Sequence, residues 1–405
     1  MLAVFALSGG GLATVTAWQT DLTVGNATVT SGEGWGNLTK FVQISTSRDY
    51  TIAIDTEGDT WAWGDNQYGQ LGNGTTTSSS SSTITAPAKT AQGHKFIQIS
   101  AGDFHAQAID DKNQLWTWGG NNYTGHLGVG DNNDRNTPTL VKIPGVLGFK
   151  QTVAGFVNGA AIDSNGQAWA WGTNSYGQLG NGTNTKKNTP VKVTGGHKFR
   201  QITVGYYHMV ALDDTGAAWA WGYNNSGQLG DGTTTDKNTP VQVAGGHKFT
   251  QIATGGDKTI ALDIDGKIWA WGSNSGGQLG DGTTTNKNTP TPVKLPNDRT
   301  FTQISAYSAA STAIDTNGDT WAWGNNQYGQ LGDGTTTNRL TPAKVLGKHK
   351  FVQISTYYSQ TIALDTTGQA WGWGSNSGGQ LGDNNTGYNR LIPTKIVIVN
   401  ETTQP

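Results

Sequence analysis

The chain has 405 residues, a formal net charge of −2 and only 13% charged side chains, and no basic block could follow a phosphate backbone, which argues against nucleic acid as a partner. Cysteine is absent, which removes disulfides, thiolate nucleophiles and cysteine-based zinc sites together. Glycine (59) and tryptophan (16) are abundant, and no stretch approaches the roughly 20 apolar residues of a membrane span.

From the N-terminus, residues 1–39 match nothing that follows. MLAVFALSGGGLATVTA is apolar, and no Lys or Arg precedes Lys40. A secretory signal starts with basic residues, so the segment reads as a connector strand or a clipped targeting remnant. ATVTAWQTDLTV (13–24) alternates in part like a strand. A largely apolar extension is expected to pack on its own domain or to add to a neighbouring molecule. Head-to-tail addition of that kind builds filaments.

Residues 40–399 are written in seven units. An aromatic pair marks each, at Trp61/Trp63, Trp116/Trp118, Trp169/Trp171, Trp219/Trp221, Trp269/Trp271, Trp321/Trp323 and Trp371/Trp373. The pairs stand 50–55 residues apart and precede Gly-Gln-Leu-Gly, with Gly125-His126-Leu127-Gly128 the one variant. In the fourth unit KFRQITV (198–204), MVALD (209–213), WAWG (219–222) and TPVQV (239–243) read as four strands. WAWG places both tryptophans on one face, because side chains two apart point the same way. The proline of TPVQV suits an edge strand. Four strands per unit and seven units predict an all-β, seven-bladed propeller instead of the two or three domains that this length suggests. Insertions fall at TTTSSSSSTIT (75–85) and DNNDRNTP (131–138) in outer loops. The last strand, IPTKIVIV (392–399), is expected to close the ring by joining the first blade, leaving 400–405 as a tail.

The pattern of Gly205, His208, Ala211, Leu212, Asp213, Gly216, Trp219, Trp221, Gly222, Asn224 and Gly227 to Gly230 resembles the regulator-of-chromosome-condensation repeat. The resemblance covers residues 40 to about 399 and implies a seven-bladed propeller. The family's nucleotide exchange on a small nuclear GTPase is not carried over, because no residue here matches the exchange surface. Near-identical units written GQLG-D/N-GTTT resemble bacterial or archaeal surface proteins, which places the chain outside the cell or at its surface. Eight N-x-S/T sequons, at Asn26, Asn37, Asn73, Asn122, Asn181, Asn224, Asn384 and Asn400, agree weakly with export, since a chain rich in Asn and Thr yields them by chance.

The repeated tryptophans invite a chromophore reading, but a pair in every blade is what packing between blades demands. The Asp/Asn/Thr loops, such as DGTTTDKN (231–238), resemble calcium loops yet lack the bidentate Glu and the ligand spacing; turn capping is the simpler reading. Asp263-Ile264-Asp265-Gly266 is read in the same way. His94, His197, His247 and His349 share one repeated turn on different blades, while His105 and His208 hold a framework position, so no metal and no cofactor is expected.

What varies is the short loop between the first two strands of each unit. These loops carry Arg48, Asp49, Tyr50, Asp103, Phe104, Phe156, Tyr206, Tyr207, Asp257, Lys258, Tyr307, Tyr357 and Tyr358, and propeller geometry gathers them on one face around the channel. Aromatic anchors among a few charges favour a partner-binding face; the alternative is that some rings merely plug the channel. The sequence thus predicts a non-catalytic extracellular scaffold for protein or glycan contacts, self-assembling through its N-terminal segment. Beside it stand a binder or inhibitor of one partner protein, and an enzyme built at the channel mouth from His105, Asp103, Asp257 and His208. No G-x-S-x-G, H-E-x-x-H or phosphate loop supports the last reading.

Overall fold

The computed structural model describes residues 39–77, 83–91, 93–296 and 299–398. The strand expected over 13–24, the serine run 78–82 and the tail from residue 399 lie outside the described residues.

In the first repeat the expected segments become β1 (Phe41–Thr46), β2 (Tyr50–Asp55), β3 (Thr60–Gly64) and β4 (Ile84–Thr90), paired antiparallel in that order. The same meander recurs over 96–140, 149–192, 199–242, 249–292, 301–344 and 351–395, giving seven four-stranded blades. Inner strands line a central channel, and outer strands, each carrying a proline, pair on one side only. A proline there removes no ladder hydrogen bond. Among the described residues the one helical element is a 3₁₀ turn, Asn122–Thr124, and no helix is long and apolar enough to cross a membrane. Half of the expected insertion at 131–138 is strand, since the outer strand of blade two begins at Arg135.

Three repeated devices bind blade to blade. The second tryptophan of each pair is fully buried between its own blade and the preceding one. Its Nε1 donates to a carbonyl in the preceding blade's Gly-Gln-Leu-Gly, from Trp118 to Gln70 at 2.9 Å through Trp373 to Gln330 at 3.0 Å, with His126 supplying the carbonyl for Trp171. The last glycine of the tetrapeptide makes room: at Gly72 φ is +70°, and a Cβ would lie 2.7 Å from Trp118 Nε1. Second, the glutamine of each inner strand grips the next blade. Gln251 Oε1 accepts from Ile304 N at 2.9 Å, and its Nε2 donates to Ile304 O at 3.2 Å. Third, an aspartate ends every second strand. Asp55 Oδ1 accepts from the amides of Glu57 and Asp59, and Oδ2 from Trp61 Nε1 at 2.8 Å. Asp263 does the same for Asp265, Lys267 and Trp269, so its carboxylate serves the turn.

Ring closure differs from expectation. The last strand, Arg390–Lys395, pairs with the Trp-bearing strand of its own blade, with Trp371 opposite Lys395. Blade seven therefore needs no strand exchange with blade one, because this unit already holds its full four strands. The seam repeats the other interfaces: Trp63 Nε1 donates to Gln380 O at 2.9 Å, and Ile44 N donates to Gln353 Oε1 at 3.0 Å. Phe41, Trp61 and Trp63 pack there against Ile362, Leu364 and Leu381.

Candidate functional site

The loops joining first to second strands emerge at one end of the ring, together with those joining third to fourth strands. Contacts between the two sets follow: Tyr68 meets Phe104 edge-on at 5.3 Å, and Tyr176 meets Tyr207 at 5.3 Å.

Five of the thirteen residues expected on this face point inward. Tyr50, Asp103, Lys258, Tyr307 and Tyr357 are all buried. Tyr50 Oη donates to His105 O at 2.7 Å, tying blade one to blade two. Lys258 Nζ donates to the carbonyls of Ser308 (2.6 Å) and Ala310 (2.8 Å), and burial pushes its pKa down to about 7. The other three form a plug. The Tyr307 and Tyr357 rings stack at 3.4 Å, and both hydroxyls donate to Asp103 Oδ1, Tyr307 at 2.8 Å. Burial raises the Asp103 pKa to about 6 against the opposing pull of the tyrosine hydrogen bonds and Arg48. These residues support the face and do not present it, which realises for them the plugging alternative. An apolar ring system at the narrow end of a channel removes more surface from water by crossing it than by standing above it.

The remaining eight stay accessible. Phe104, Phe156, Tyr206 and Tyr207 are half-buried and touch in series, Phe104 to Phe156 at 5.8 Å and Phe156 to Tyr206 at 5.4 Å. Tyr206 leans edge-on against Tyr307 of the plug. Asp49 and Asp257 are half-buried; Asp257 accepts from Gln228 Nε2 at 3.2 Å. Arg48 is exposed, 3.5 Å from Asp49 and over the Tyr358 ring at 5.4 Å. The strip extends into residues that sequence reasoning passed over: Tyr68, Tyr176 and Tyr223. The signal was there. Tyr68 and Tyr176 occupy the variable position just before a fixed Gly-Gln-Leu-Gly, the criterion that singled out the other loops.

Below the plug the channel holds a cavity of about 70 Å³ lined by groups such as Ser45, Ser100, Thr254 and Ser355. Typical small-molecule sites enclose roughly 300–1,000 Å³. The larger groove, about 390 Å³ at the edge of blade two, is lined mainly by aliphatic residues including Ile143, Val146 and Leu147. The acid–base groups named from sequence are engaged separately. His105 packs on His126 at 4.5 Å, and His208 Nε2 lies 3.2 Å from Thr259 Oγ1. Burial depresses the pKa of both, that of His208 to about 3. His94, His197, His247 and His349 pack at a tilt against Trp116, Trp219, Trp269 and Trp371, each within its own blade. In DGTTTDKN, Asp231 Oδ1 accepts from the Thr233 amide and hydroxyl and from Asn224 Nδ2.

The sequence matches the RCC1-like domain over residues 153–404 and the regulator of chromosome condensation (RCC1) repeat over 57–109 and 112–155. It is 32% identical over 151 residues to the ultraviolet-B receptor UVR8 of Arabidopsis thaliana, covering 36% of this chain and 33% of the receptor. With the E3 ubiquitin-protein ligase HERC2 of Homo sapiens it shares 33% over 151 residues, 36% of this chain but 3% of the ligase. The matched stretch thus spans a third or less of these relatives. Among solved structures, human WBSCR16 superposes with a TM-score of 0.75 at 20% identity, covering 84% of this chain and 94% of that one. Yeast RCC1 (Prp20), solved with Kap60 bound, gives a TM-score of 0.74 at 22% identity over 95% of this chain and 92% of that one. At these identities the two structures bear on the fold alone.

Proposed function

Because the chain belongs to the RCC1-like domain family, and its ring presents accessible aromatics over a closed channel, we propose that it is a non-catalytic protein-interaction scaffold. The observation that carries this reading is the strip Tyr68–Phe104–Phe156–Tyr206/Tyr207, a run of touching rings left half-open at the surface. Aromatic side chains bring large contact area with little rotamer entropy, which is why they anchor interfaces. A yeast protein of the same fold has been crystallised with a protein, Kap60, bound to it. The enzyme reading loses its support, since each of its four residues has a separate structural partner.

The finer reading adds location and assembly. The protein works outside the cell or on its surface, in the manner of prokaryotic surface proteins. It contacts protein or glycan through the strip and joins to its own copies through residues 1–39. Support comes from the near-identity of the units, the uncharged apolar start, and the sequons at Asn73, Asn181 and Asn384, which lie in loops; Asn122 and Asn224 are buried and serve their turns.

The test replaces Phe104, Phe156, Tyr206 and Tyr207 together by alanine. Tyr357 is left alone, because it is 5% exposed and holds the plug. Proteins retained from the source organism by the wild-type chain should be lost on the variant while its circular dichroism still shows the folded β structure. Retention of the same proteins by a folded variant refutes the reading.

A further inference from the structure

Charges are distributed unevenly over the open face. At its rim five carboxylates pair with cations, Asp131 with Arg135, Asp231 with Lys237, Asp281 with Lys287, Asp333 with Arg339 and Asp383 with Arg390, while Asp134 and Asp236 accept the backbone amides of Asn122 and Asn224. At the mouth the balance fails. Asp49, Asp65 and Asp257 stand there against Arg48, whose charge Asp49 already takes at 3.5 Å. Lys258 brings no relief at the surface, because its ammonium is buried against two backbone carbonyls. Asp49 and Asp65 sit side by side, since the Asp65 amide donates to the Asp49 carbonyl at 2.8 Å. Their mutual repulsion adds to burial in raising the Asp49 pKa. Asp65 belongs to the same loop as Tyr68 at one end of the strip, and Asp257 acts on Tyr206 and Tyr207 at the other.

We propose that this strip, bracketed by Asp49/Asp65 and Asp257, is a docking track for an extended cationic peptide segment rich in arginine or lysine. The inference rests on the scaffold reading above and names the chemistry of its partner. Two physical matches carry it. Aromatic faces attract cations, arginine above all, and flanking carboxylates supply the counter-charge. Side chains two apart in an extended peptide lie roughly 6.6 Å from one another, close to the spacing of the rings, so alternate residues find successive rings. A neutral glycan would gain nothing from the unbalanced charge.

The experiment titrates the full chain with three fluorescent peptides of equal length, alternating glycine with arginine, serine or glutamate, and reads anisotropy. Expected is saturable binding of the arginine peptide alone, weakened at least about tenfold in the triple variant Asp49→Asn, Asp65→Asn, Asp257→Asn. Asparagine keeps the oxygen that Gln70 and Gln228 donate to, so the loops hold their shape. Phe156→Leu preserves apolar bulk and removes the ring face; it should weaken binding severalfold. No binding of the arginine peptide, equal binding of the serine peptide, or loss in the carboxylate variant with none in Phe156→Leu overturns the track. If the arginine peptide fails while the four-alanine variant still loses its retained proteins, the scaffold reading stands and the cationic partner falls.

Discussion

Acidification sets two kinds of buried group against each other, and His126→Gln separates them. Burial depresses the pKa of His126 to about 4 and that of His208 to about 3, from 6.5, and lowers that of His105 as well. A histidine held neutral stabilises the fold fully above its unfolded pKa, and the contribution drains away as pH falls toward the folded value. At about 1.4 kcal/mol per pKa unit, His126 and His208 each cost about 2 kcal/mol by pH ~5. Asp103 acts oppositely. Its folded pKa of about 6 exceeds the usual 3.8, so protonation favours the folded state, by about 1.4 kcal/mol over the same range. The histidines win, and the protein should lose a net ~3 kcal/mol between pH ~7.5 and pH ~5. His126 occupies the position that is glutamine in the other six units, and its carbonyl, not its ring, receives Trp171 Nε1. The ring is also held by the Thr124 hydroxyl at 2.7 Å and the Gly120 carbonyl at 3.0 Å, so His126→Gln should cost stability at pH ~7.5 and lose about 2 kcal/mol less than wild type on going to pH ~5 in urea denaturation. An identical pH response in variant and wild type would falsify the account of His126 as a buried neutral base.

Two glycines of matched conformation isolate the tryptophan interlock. Gly230 and Gly196 have φ of +68° and +69°, but a Cβ on Gly230 meets Trp271 Nε1 at 2.7 Å while one on Gly196 meets open space. Gly196→Ala should cost only the left-handed strain of about 1–2 kcal/mol, and Gly230→Ala clearly more, in thermal melts of both; equal losses would remove the interlock. Gln251→Ala strips both partners from the Ile304 backbone and should cost roughly 2–4 kcal/mol, and Gln251→Glu, which sets a buried carboxylate oxygen against the Ile304 carbonyl, should cost at least as much; a silent alanine variant would deny the inner strut its role. Light scattering after size exclusion compares the full chain with residues 37–405. Large assemblies of the first and monomers of the second are expected, and monomers of both would end the connector role of the N-terminal segment.

The ring was legible from sequence because its determinants are local and copied. Alternation along WAWG, a turn after each Val-Ala-Leu-Asp-like segment and a fixed Gly-Gln-Leu-Gly each specify a few residues of backbone, and seven copies leave one way to stack. Even so, the inner glutamine went unread as glue: a polar residue in a strand reads as solvent-facing, and only the next blade, about 50 residues on, reveals its partner.

For the face, sequence determined which loops share one end and that aromatics crowd them, since loop order follows from strand order. Which of those aromatics stay available was decided by tertiary structure. Asp103 finds its donors 204 and 254 positions away, at Tyr307 and Tyr357, and no local pattern encodes that meeting. Phe104 and Tyr307 look alike in sequence. One is left half-open and the other is drawn into the channel, because ring closure brings distant blades to one axis and burial there outweighs exposure.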